Sequence, residues 1–250
     1  MIKVTLVDHT GKGHPDPARY AAAQLIFAKS TRLTMSPSLL DDILGWPEEG
    51  LLKELTYIAN TIPASHEFVN LTFMIENVTR AFTHQWVRNR HCSHAQQTMR
   101  VLDKKGWDYA TGPTIKGHAY EPVYDEAMAK VRVAYDMMVA NGVAIEDARG
   151  VLPTNITTNI LTGMNLRTFV DIIKKRSSPR TQGEYREVLE QMKVAVEKVY
   201  PWIHLFTNRT FHQATKELDY KLAEWAHSGQ ISNDQKLSAM KLIDLLRREE

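Results

Sequence analysis

The sequence has almost no cysteine: Cys92 is the single one in 250 residues. That excludes an internal disulfide framework and fits a reducing, cytoplasmic setting. No run approaches eighteen apolar residues, so nothing reads as a membrane span. The first residues, MIKVTLVDHTGKGHPDP, read as a short strand and a turn, without a signal peptide's long apolar region. Net charge is nearly absent too, +2 from 31 basic and 29 acidic residues, which gives no general electrostatic footprint for nucleic acid. There is no CxxC or HExxH pair, no internal repeat and no low-complexity linker. What remains is 43% hydrophobic and 24% charged, an ordinary globular composition long enough to bury a substantial core.

The pattern is mixed α and β. Ile2 to Val7 alternates like a strand, and a Gly/Pro-rich turn leads into a helix through ARYAAAQLIFAKS. Helices are expected over Ser36–Leu44 and Pro47–Ala59. HEFVNLTFMI then switches to period two, with Val69, Leu71, Phe73 and Ile75 on one face. NVTRAFTHQWVR returns to helical spacing, with Val78, Phe82 and Trp86 as its apolar stripe. Trp107 to Tyr120 reads as a loop, and residues 122–149 as a long helix broken at Asn141-Gly142. A strand around Ile156–Met164, a helix over Leu166–Lys175 and another over Glu184–Val199 follow. The tail reads as a helical hairpin, Phe211–His227 and Asp234–Leu246, with Ser232 and Gln235 spaced as a capping box. Leu237, Met240, Ile243 and Leu246 would form the second helix's apolar stripe.

Residues 85–100, QWVRNRHCSHAQQTMR, concentrate donors between two apolar stretches. His91 and His94 at i and i+3 would share one face of a helix, but a zinc site needs three or four ligands and no further pair exists; no metal is expected. Cys92 beside cations is a possible nucleophile, against the commoner role of a packed side chain. The arginines carry more weight. Residues 77–102 contain no acid, so Arg88, Arg90 and Arg100 have no local ion-pair partner, and guanidinium groups bind phosphate bidentately. RNA recognition would favour exposed aromatics among the basic residues; only Trp86 lies there, on the apolar stripe, so nucleic acid is disfavoured.

HEFVNLTFMIENVTRAFTHQWVRNRHCSHAQQTMR resembles the core of the flavin-dependent thymidylate synthases. That family carries Arg-His-Arg, seven further residues, a serine, and an arginine two positions on. The frame here is Arg88-Asn89-Arg90, seven residues, Thr98, then Arg100. A second block, RGVLPTNITTNILTGMNLRTFVDIIKKRSSPRTQGEYR, resembles the family's Arg-x-Val-Leu-Pro turn, its Asn-x-Arg pair (Asn165, Arg167) and its Arg…Gln-x-Glu segment (Arg176, Gln182, Glu184). The resemblance spans roughly residues 60 to 205.

The resemblance implies an α+β fold of the thymidylate synthase-complementing protein type, with helices around a central, mostly antiparallel sheet. Residues 1–210 would form that domain and 211–250 a C-terminal helical extension. It implies an enzyme using FAD, with NADPH and methylenetetrahydrofolate as co-substrates, that moves a one-carbon unit to C5 of dUMP and gives dTMP. It also implies self-association as a homotetramer. Gln85, Arg88, Gln96, Gln97, Thr98, Met99, Arg100, Arg149 and Arg176 match nucleotide-binding positions. Arg100, Arg176 and Thr98 match the catalytic ones, the arginines stabilising charge on the pyrimidine. Arg88, Asn89, Arg90, His91, Asn165, Arg167, Asp171 and Arg180 match flavin-contacting positions. Bland readings compete: Asn165 as a helix cap, Arg167 with Asp171 as an i,i+4 pair, Arg149 as a surface residue. The sequence departs from the family at Asn89 (histidine), Thr98 (serine), Phe68 (often histidine) and Val101 (often tyrosine). Those changes leave two alternatives open: a hydroxymethylase acting on dUMP or dCMP, and a non-catalytic nucleotide- or RNA-binding relative.

Overall fold

The computed structural model describes residues 1–100, 107–176, 178, 180–207 and 211–248, with backbone alone for 211–217 and 244–248. The elements are β1 (Lys3–His9), α1 (Pro17–Ser30), α2 (Ser38–Leu44), α3 (Glu48–Thr61), β2 (Asn70–Thr79), α4 (Arg80–Trp86) and β3 (Ser93–Gln96). Then come α5 (Glu121–Ala140), α6 (Ile145–Ala148), β4 (Thr157–Asn165), α7 (Leu166–Arg176), α8 (Gly183–Glu197), α9 (His204–Thr207), α10 (Phe211–His227) and α11 (Asn233–Arg248). The four strands form one antiparallel sheet in the order β1-β2-β4-β3. The fold is α+β, as the sequence leads one to expect.

The period-two face of β2 is the heart of the core. Val69, Leu71, Phe73 and Ile75 are at most 1% exposed, whereas Phe68 is 60% exposed. Phe73 stacks on Phe169 of α7, and α1, α3, α4, α7 and α8, with β4 and the segment Tyr200–Phe206, supply most of the rest of the cluster. A second cluster, Trp107, Tyr135, Ala148 and Ile156, joins the segment after residue 106 to α5, α6 and the start of β4.

The structure departs from the sequence pattern at three places. His66–Phe68 belong to a 3-10 turn, Pro63–Phe68, rather than to the strand. Asn77–Thr79 are still strand, so α4 starts at Arg80. The cause is a bulge: the β2–β4 register shifts between Ile75 and Val78, with Asn77 at φ 59° and its N–H bonded to Asn159 Oδ1 at 2.9 Å. A bulge lets consecutive residues turn inward, and Val78 and Thr79 are both buried. Third, Ser93–Gln96 is a strand on the sheet edge, not part of a helix or a turn.

The break at Asn141-Gly142 holds. Gly142 adopts φ 84°, and Val143 N–H returns to Met138 O at 3.0 Å, closing α5 as a left-handed glycine cap does.

Two compact units are present, residues 1–206 and 207–250. Within the second, α10 and α11 pack on each other. The capping box forms reciprocally: Ser232 N–H donates to Gln235 Oε1 at 2.8 Å, and Gln235 N–H to Ser232 Oγ at 3.2 Å. Leu237 is 55% exposed and Ile243 3%, so the expected stripe does not cover the whole helix. No helix among the described residues is long and apolar enough to cross a membrane.

Candidate active site

The site grows from the two ends of α4. At its start, the Thr79 hydroxyl accepts from Phe82 N–H at 3.0 Å and caps the helix. Glu184 grips the same cap with both oxygens, accepting from Thr79 N–H at 2.7 Å and from its hydroxyl at 2.6 Å. At the other end, Gln85 donates to Gln182 Oε1 at 2.7 Å. The Gln182-x-Glu184 segment is therefore a brace along α4. Gln85, expected on the nucleotide, has its amide N–H directed at that brace.

After Trp86 the chain turns through the motif. Asn89 Nδ2 donates to Trp86 O at 2.8 Å and to the Tyr185 hydroxyl at 3.1 Å. A polar chain, buried at Trp86 and Thr162 and half-buried at His94 and Asn89, holds the turn from below. Trp86 Nε1 donates to Thr162 Oγ1 at 2.9 Å; since an indole only donates, the threonine proton is free for His94 Nδ1 at 3.1 Å. His94 Nε2–H then donates to Asn89 O at 3.4 Å, an assignment consistent with the burial that lowers its pKa.

These anchors leave Arg88, Arg90 and His91 exposed on one wall of a cleft of about 400 Å³. Asn89 contributes to the same wall. The other wall is α7, through Thr168, Asp171, Ile172, Lys175 and Arg176. Asp171 pairs with Lys175 at 3.4 Å. Arg88, Arg90 and Arg176 pair with no carboxylate among the described residues. Arg176 instead lies over the ring of buried Tyr185, 5.3 Å from its centroid.

Other expected residues lie outside this lining. Asn165 Oδ1 accepts from Thr168 N–H at 2.9 Å and caps α7. Arg167 pairs with Glu67 at 2.6 Å, not with Asp171. Arg180 N–H donates to the Ser178 hydroxyl at 3.3 Å. Gln96 donates to Thr83 Oγ1 at 2.8 Å, and Thr98 Oγ1 accepts from Arg100 N–H at 3.1 Å, tightening a turn. Arg149 Nε donates to Glu146 O at 3.1 Å. Met99 is half-buried and packs against the Trp107 cluster. Val101 lies outside the described residues.

Arg80 was not foreseen. It bonds to Gln97 O at 2.7 Å, and burial together with the charge of Arg149 lowers its pKa. Tyr185, Thr168, Ile172 and Lys175 were also missed. The three α7 residues could have been found by extending the helical face of Asp171 and Arg176.

The competing chemistries lose their footing. His94 sits on a strand and is turned onto Thr162 and Asn89 while His91 is exposed, so the shared helical face a zinc pair needs does not form. Burial pushes the Cys92 thiol up to about 11, the opposite of nucleophile activation. Trp86 is fully buried, so it offers no stacking platform for RNA.

The family model for thymidylate synthase complementing proteins matches residues 5–218. The chain belongs to that family. Flavin-dependent thymidylate synthases from Nitratidesulfovibrio vulgaris (strain Hildenborough) and Clostridium tetani (strain Massachusetts / E88) are 32% and 30% identical over 214 and 221 residues. Each alignment covers 80% of this chain and 84% of the relative. The crystal structure of a UMP/dUMP methylase PolB from Streptomyces cacaoi, bound with 5-Br dUMP, has a TM-score of 0.67 at 19% identity. It covers 83% of this chain and 95% of that one and shows a shared fold. This member of the thymidylate synthase complementing family is an enzyme of the methyltransferase class.

Proposed function

We propose that the enzyme moves a one-carbon unit from methylenetetrahydrofolate to C5 of dUMP, giving dTMP, with FAD as cofactor and NADPH as reductant. The observation that carries this reading is the set of arginines without carboxylate partners among the described residues, at the motif turn and at the end of α7, around one cleft. Cations held uncompensated at a surface favour an anionic ligand. The donor set suits a flavin dinucleotide: guanidinium groups for its pyrophosphate, and Asn89, His91 and Asp171 for polar edges.

When bound, the flavin supplies the hydride chemistry. The chain binds and polarises. Arg176 faces the pyrimidine and stabilises the negative charge that develops as C5 attacks. Arg88, on the motif-turn wall of the cleft, would hold both ligands. Asn165, Arg167 and Arg180 join the flavin side from the cap, ion pair and turn they now occupy. Gln96, Gln97, Thr98, Arg100 and Arg149 lie outside the cleft lining, so in this reading a neighbouring copy in a homotetramer supplies them. Gln85 keeps its carbonyl for the nucleotide while its amide holds Gln182. Residues 1–210 carry the chemistry, 211–250 are an extension, and the enzyme works in the cytoplasm.

Absorbance and light scattering on the purified protein test the reading together. We expect oxidised-flavin absorbance, retained or restored by titration with FAD, on a particle of tetramer mass. A monomer that takes up no flavin would contradict it.

A further inference from the structure

Tyr185 is fully buried, yet it meets a residue from each wall of the cleft. Its hydroxyl accepts from Asn89 Nδ2 at 3.1 Å, and the Arg176 guanidinium sits 5.3 Å from its ring centroid. The ring packs against Phe82 and Trp86, with centroids 5.4 Å away in each case. In a close-packed interior such a ring cannot drift towards either neighbour. Asn89, where the family resemblance leads one to expect histidine, directs its amide at Trp86 O and Tyr185. Its orientation is thus set from within the core. Arg176 is exposed and has no carboxylate partner among the described residues, so stacking on a fixed aromatic face limits where its long side chain points.

We propose that Tyr185 is a positioning residue: its hydroxyl sets the Asn89 turn, and its ring together with that hydroxyl sets Arg176, holding the two walls of the cleft in one register. The inference rests on the reading that the cleft takes the flavin and the uracil nucleotide. It predicts graded losses on substitution. Tyr185→Phe keeps the ring and its packing but removes the hydroxyl, whereas Tyr185→Leu removes both.

The test is the dissociation constant of FAD, from flavin fluorescence, and of dUMP, from calorimetry on the FAD-loaded enzyme, with thermal melts alongside. In Tyr185→Phe we expect FAD binding to weaken roughly fivefold, the size of one lost hydrogen bond, and dUMP binding to weaken less than that, since the ring still carries Arg176. In Tyr185→Leu we expect FAD to weaken as much and dUMP by roughly tenfold, as the cation–π contact is lost. A purely structural role would lower the melting temperature and leave both constants of the folded enzyme at their wild-type values, which overturns the proposal. Should Tyr185→Leu not fold, unchanged FAD affinity in Tyr185→Phe overturns it alone. Wild-type enzyme that binds neither ligand would overturn the functional reading and this inference with it; normal wild-type binding with unaltered variants overturns the inference only.

Discussion

Cys92 follows the motif turn, half-buried against the core, with its N–H on Asn89 O at 3.2 Å. With its thiol pushed up to about 11 it is protonated at neutral pH, and a thiol is a poor nucleophile. We therefore expect Cys92→Ala to turn over at close to the wild-type rate in a coupled assay with dUMP. Complete loss of activity in a folded variant would restore covalent catalysis by the thiol. The motif arginines tell the complementary story. That residues 77–102 hold no acid is visible in the sequence, and the lack of carboxylate partners for Arg88 and Arg90 among the described residues agrees with it. What the sequence does not carry is which polar groups are already engaged. Asn89 and Tyr185 stand 96 positions apart, and Arg167 and Glu67 100 apart, so no local spacing rule connects them. Asn165 as a helix cap and Arg149 as a surface residue are the bland readings that local chemistry did announce.

At the scale of elements, β2 was readable because its alternation is strong and one face is wholly buried. Strand β3 was not. Ser93–Gln96 has four small or polar residues, no apolar alternation, and a single partner strand, so its conformation comes from pairing with Ile160–Gly163. The bulge at Asn77 hid the start of α4 for a related reason: it places Val78 in the core, where it imitates the first residue of a helical stripe. The hydrogen-bonded chain Trp86–Thr162–His94–Asn89 gives β3 a pH-dependent fastening. Burial holds the folded pKa of His94 below its ordinary 6.5. The unfolded chain then takes up a proton more readily, so this contribution to stability is complete above about pH 6.5 and is lost as pH falls towards the folded value. His66, buried beside Ile58 O, shifts the same way and chiefly for the same reason. Urea midpoints measured at about pH 7.5 and about pH 5.5 should show a fall in wild type and a smaller one in His94→Gln, with His66 keeping the remainder. An equal fall in both would show that His94 is not held neutral by the fold.

For the whole molecule, the sheet, its helical cover and the family were legible because two motif blocks keep their order over most of the chain. The brace that joins them was not, because it is a contact between blocks: Gln182 and Glu184 reach back 97 and 105 positions to Gln85 and Thr79. That brace and the cleft beside it underlie the central claim, that this enzyme methylates a uracil nucleotide. The direct test is to incubate it with FAD, NADPH, methylenetetrahydrofolate and dUMP and to weigh the nucleotide by mass spectrometry. A gain of one methyl group is the expected result. A gain of one hydroxymethyl group, a modified dCMP beside untouched dUMP, or no modified pyrimidine at all would contradict it.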